Sequence, residues 1–181
     1  MSQRNTVIRS MHDVGLAAWF GGSLMGAVGL NGATAEAHDP TERLRLSSLG
    51  WKRWSPVNAG AIGVHAIGGA GLILANRNRV AQQGEAKANT YLKLGLTVAA
   101  AGLTAWSGAL GRKVEEQSHQ GAPGATEPSA GASKELAAAQ RQLKIAQWAI
   151  PAVTGTLIVM GAQQGEQQRP GQQLLTRIGR G

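Results

Sequence analysis

The chain contains no cysteine. Disulfides, thiolate metal sites and cysteine lipidation are therefore excluded, and nothing follows about compartment. Familiar catalytic signatures are missing as well. There is no Walker A sequence, no H-E-x-x-H pair and no nucleophile elbow. Gly69-Ala70-Gly71 comes nearest to a dinucleotide fingerprint, but it lacks the third glycine and a preceding strand. The chain is therefore read as non-enzymatic and without a cofactor. Acidic residues are few, 10 against 18 Lys and Arg, for a net charge of +8. A basic balance can signal nucleic acid. Here the cations flank apolar segments instead, as juxtamembrane residues do.

Charge itself is absent from four long stretches, Val14–Ala35, Trp54–Asn76, Leu94–Gly111 and Ile145–Gly165. A spanning helix needs roughly 20 mostly apolar residues. The mean hydropathy of −0.14 averages these windows with very polar connectors. A soluble bundle is the alternative, but each of its helices would need a polar face. Val14–Leu30 offers only Ser23. The fold expected is all-α, a bundle of four transmembrane helices forming one domain over 1–165, with a flexible polar tail over 166–181. The bilayer is its first partner. The first apolar stretch is long and lacks an A-x-A-type site, so helix 1 is expected to remain as an anchor.

Local grammar refines the boundaries. Asp39-Pro40-Thr41-Glu42 reads as a cap, a proline at the first helical position and a Glu at the third. A short interfacial helix is expected to follow to about Gly50, between helices 1 and 2. Ser55-Pro56 repeats the grammar and predicts the start of helix 2. Residues 117–133 are rich in Gly, Ala, Ser and Pro and predict a flexible loop. Ser133 can cap a long helix 4, in which Pro151 frees the carbonyl of Gln147 and predicts a kink.

We call side A the end holding both termini and the helix 2–3 loop, and side B the other. Basic residues divide equally between them. Two Arg precede helix 1, whereas Glu36, Asp39 and Glu42 follow it before the next Arg. The first helix usually dominates orientation, so a cell-membrane protein with cytoplasmic termini is expected.

Candidate site residues follow from depth and residue type. Helix 1 carries Ala18-xxx-Gly22-xxx-Gly26, a small-residue stripe that lets backbones approach. It predicts packing within the bundle or a face for a protein partner or second copy. His65 lies near the middle of helix 2, level with Ser23, Thr97, Thr104 and Thr154. Ionisable groups at such depth are functional suspects. A neutral imidazole bonded to a threonine hydroxyl is one reading, and a proton relay or a metal or haem ligand is the other. Counting about 1.5 Å per residue puts His12 roughly 15 Å from the depth of His65, which argues against a shared haem. His38 and His119 match no metal spacing. Asp13 shares the side A boundary with Arg77 and Lys93 and predicts an ion pair there. Asn31 and Asn58 lie at matched depth on side B and predict a mutual bond. Trp51-Lys52-Arg53-Trp54 reads as an interfacial anchor, with Trp106 and Trp148 in the same belt, or as a headgroup or partner contact.

His12-Asp13-Val14-Gly15-Leu16-Ala17-Ala18-Trp19-Phe20-Gly21-Gly22, Trp51 to Asn58, and the Arg-over-Lys, Ala/Gly-rich composition resemble uncharacterised small membrane proteins of high-GC actinobacteria, over about residues 10–115. The resemblance implies a membrane fold and no activity. The Trp-x-Gly-Gly feature is also similar to one in copper-resistance D-type and DoxX-like membrane proteins, without carrying any ligand across.

Overall fold

The computed structural model of the protein describes residues 5–77 and 84–167. Four long helices account for most of them. Helix α1 spans Thr6–Ala35, α2 Pro40–Ala75, α3 Gly84–Glu116 and α4 Lys134–Gln167. All four are long and apolar enough to cross a membrane. Only 17 to 33% of each apolar window is buried inside the bundle. Val14, Met25, Ile67, Leu74, Val98 and Val159 point outward. Such a surface suits hydrocarbon, where helices are stable without water because their backbones are paired internally.

The segment after Pro40 is not a separate interfacial helix. It is the first third of α2, which runs 36 residues, about 54 Å at 1.5 Å per residue. Asp39 caps it, accepting from the Thr41 N–H at 2.8 Å, with Pro40 at the first position. Pro56 does not start a helix but lies inside this one. Ser55 is correspondingly no cap. Its hydroxyl donates to the Trp51 carbonyl at 2.8 Å, one turn back in the same helix. A proline interrupts one intrahelical bond, and nearby Ser hydroxyls help re-satisfy freed groups. α4 likewise continues through Pro151.

The loop expected to be flexible is folded. Ala122, Ala125 and Thr126 are buried. The Ala122 N–H donates to the Pro40 carbonyl at 3.2 Å. Gln140 donates to the Gly124 carbonyl at 3.0 Å, and Arg43 reaches the carbonyls of Ala37 and Pro123. Gly121 adopts φ 65° where the loop crosses Pro40. A Cβ there would lie 2.9 Å from that ring, so glycine fits on both counts. Ser133 caps α4 by accepting from the Leu136 N–H at 3.1 Å. Small residues here let the loop lie close over the helix ends. Beneath it Leu44, Leu110, Val114, Leu136 and Leu143 form a core at the side B end of the uncharged windows and beyond it. A second core, Leu16, Trp19, Ala100, Ile150 and Leu157, joins α1, α3 and α4 within the windows. α1 packs along α2 and against α4, and α4 packs along α3. Residues 168–181 of the expected tail lie outside the described residues.

Candidate functional site: the polar seam of helix α1

α1 and α2 run antiparallel at backbone contact. The contacts fall in register: Ile8 on Gly71, His12 on Gly68, Gly15 on Ala61 and His65, Gly22 on Trp54, Gly26 on Trp51, and Leu30 on Gly50. Each level places a glycine of one helix beneath a larger residue of the other. A Cβ at Gly15 would sit 2.6 Å from the Ala61 carbonyl oxygen and the His65 nitrogen. Gly22 and Gly26 are thus on a contact face of α1, and that face is filled by this chain's own α2. Trp51 and Trp54 turn inward onto those glycines. Trp106 and Trp148 remain exposed at side B.

At the side A end, His65 is 3% exposed. Its Nδ1 lies 2.9 Å from the main-chain oxygen of His12. The two imidazole rings are 4.2 Å apart between centroids, and Trp19 meets His65 edge-on at 6.2 Å. The Nδ1 of His12 bonds the Asp13 carboxylate at 2.9 Å. His65 therefore points into the bundle but meets His12 and Trp19. Thr104 accepts instead from the Trp19 indole at 3.1 Å, and Thr154 donates to the Ile150 carbonyl. The depth count that separated His12 from His65 fails because α1 starts at Thr6, well before its uncharged window at Val14, and α2 extends past it so that Gly71 faces Ile8. The side A helix ends are not coplanar. Asp13 is largely exposed, with His12 as its direct partner, and its charge acts on Lys93 together with that of Arg9. Arg77 lies just past the end of α2 and is exposed.

At the side B end, α1 changes character. Gly26–Leu30 form a π turn, which inserts an extra residue and re-aims those that follow. Asn31 comes next and is 8% exposed. Its Nδ2 donates to Gln147 Oε1 of α4 at 2.7 Å. Its Oδ1 accepts from Ser47 at 3.1 Å and from the Trp51 indole at 3.0 Å, both of α2. One amide thus ties three helices together. The expected Asn31–Asn58 bond is not made. Asn58 Oδ1 and Trp54 Nε1 are buried without a partner. The signals for this hub were present in sequence as a buried-depth Asn and the Gln before Pro151. Their meeting depends on the π turn, which has no sequence signature here.

Among the described residues, no group of three or more His, Asp or Glu is placed to hold a metal ion. No protein-family model matches the chain, and no curated protein or solved structure matches it either.

Proposed function

We propose that this chain is a multi-pass cell-membrane protein without catalytic activity of its own, an accessory or scaffold subunit that associates through α1. The observation that supports this is the two-sidedness of α1. One face, with Gly22 and Gly26, is closed by Trp54 and Trp51. A second face, about 120° round the helix, runs Val14, Ala17, Gly21, Met25 and Val28, all exposed, and nothing lies within 4 Å of a Cβ built at Gly21. Small residues four apart favour close helix contact in lipid. The occupant is a second copy or another membrane helix. Mild-detergent extraction followed by affinity capture and mass measurement tests it. Recovery in a defined oligomer or complex is the expected result. Recovery only as a lone monomer counts against the scaffold reading. The flanks of helix 1 support cytoplasmic termini.

A second reading is favoured by one observation, the contact of His12 with both Asp13 and His65. That array runs from an exposed carboxylate to a buried imidazole and could serve a small redox, proton-relay or transport subunit. A visible absorption spectrum with metal analysis separates the readings. A haem or metal band lost in His65→Leu would favour the second.

A further inference from the structure

At the side A end of the seam an exposed carboxylate, a half-buried imidazole and a buried imidazole meet in that order, Asp13, His12 and His65. We propose that the two rings form one proton-binding site, which takes a single proton from side A on His12 while His65 stays neutral. The inference rests on the array of the second reading and narrows it to proton binding. It does not require the proton to pass on.

The tautomers follow from the partners. His65 Nδ1 lies 2.9 Å from the main-chain oxygen of His12. A carbonyl only accepts, so this nitrogen carries the hydrogen and Nε2 holds the lone pair. His12 Nδ1 lies 2.9 Å from the Asp13 carboxylate, which when ionised also only accepts. Nε2 is again the basic nitrogen. It lies beside Gly69, 3.8 Å from a Cβ built there, and the His12 side chain keeps 22% of its surface open. His12 thus combines access from side A, a free lone pair and a carboxylate in contact, which favours the charged ring. His65 is buried, and its hydrogen-bond partner is a neutral carbonyl.

The limit of one proton follows from spacing. The ring centroids are 4.2 Å apart. A charge on one ring disfavours a charge on the other at that distance, so the two titrate as a coupled pair. The other charges at this end are few. Arg9 of α1 and Lys93 of α3 act together with Asp13. From α2 only His65 faces the pair, because Trp54–Asn76 is uncharged, and α4 is uncharged over Ile145–Gly165. Asp13 touches the His12 ring directly, and charge interactions weaken with distance, so the carboxylate decides which ring is charged.

Nuclear magnetic resonance of the histidine rings reads each proton. The full chain in detergent is followed from about pH 8 to pH 5, the range in which histidine changes charge, with rings assigned by single His→Gln variants. His12 should become charged while His65 keeps its neutral Nδ1–H form, so that the pair takes up one proton. This result needs no variant at the site. In His12→Phe, which keeps a ring against His65, the excluded proton should go to His65 over the same range. Asp13→Asn, at an exposed position, should lower the ratio of charged to neutral His12 about tenfold at a given pH, the effect of one opposite charge in contact. Two protons taken up together, His65 charged before His12, or a His12 that stays neutral throughout would overturn the proposal. So would a His65 that stays neutral in His12→Phe, because burial alone would then explain it. Proton flux into liposomes carrying the chain, read with a trapped pH-sensitive dye, tests the relay separately. The expected titration without flux keeps the site and removes the relay, and flux without that titration keeps the relay and overturns the site.

Discussion

The Trp51 indole nitrogen donates to the Asn31 side chain at 3.0 Å while its ring fills the space left by the missing side chain of Gly26. The two contacts lock the π turn of α1 from both ends. Asn31→Leu should therefore be costly. It removes the acceptor of Ser47 and Trp51 and the donor to Gln147 while leaving those groups buried. Unsatisfied groups of this kind cost about 1–3 kcal/mol each in typical proteins, with smaller values common in membranes. Thermal melting in detergent should fall for Asn31→Leu, and tryptophan emission should shift as Trp51 loses its partner. An unchanged melt would show that the hub contributes nothing.

The backbone contact of α1 and α2 predicts a contrast among glycines. Gly15→Ala and Gly68→Ala place a Cβ against backbone of the facing helix, where no rotamer change can give way. Each should destabilise by about 1–3 kcal/mol, as overpacking does. Gly60→Ala meets nothing within 4 Å and should be neutral or stabilising by up to about 1 kcal/mol, since alanine favours helix. Melts of the three variants check this ordering. Equal effects at all three positions would refute the seam.

The α2 cap carries a pH dependence. The Thr41 hydroxyl, and then its main-chain N–H, bond the Asp39 carboxylate and hold its pKa below the ordinary 3.8. A carboxyl depressed on folding contributes stability above its unfolded pKa, and that contribution is lost as pH falls through the folded value. Asp39→Ala should melt below the parent at pH 7, and the gap should close in strong acid. A gap that persists in acid would mean the charge is not what matters.

Much of the fold was legible in the sequence because bilayer thickness and capping are local constraints. The uncharged windows mark the four helices, and Ser133 marks the start of α4, whereas Asp39-Pro40 reads as the cap of a short separate helix and not of α2. The site was less legible because it depends on relative register. His12 and His65 come together through the offset of two helix ends, which counting residues from assumed boundaries cannot supply. Pro56 reads locally as a helix start, yet packing of Trp51, Trp54 and Asn58 along one face of α2 carries the helix through it. Residues 117–133 have the composition of a linker, but Gln140 and Pro40 supply the backbone partners that order it.

Orientation is testable because the chain has no cysteine. Ala130 is exposed in the side B loop. If the termini are cytoplasmic, Ala130→Cys in intact cells should react with a membrane-impermeant maleimide. Labelling only after lysis would place side B inside and reverse the proposed topology.

The neighbouring glycines of α1 separate folding from association most directly. Gly22 packs on Trp54, whereas Gly21 faces outward. Gly21→Leu and Gly22→Leu should be compared by detergent melting and by light-scattering mass after gel filtration. The account predicts that Gly22→Leu lowers the melting temperature by displacing Trp54. It predicts that Gly21→Leu leaves the melt unchanged and abolishes the oligomer or the captured partner. A Gly21→Leu chain that keeps its full assembly would contradict association through the outer face of α1.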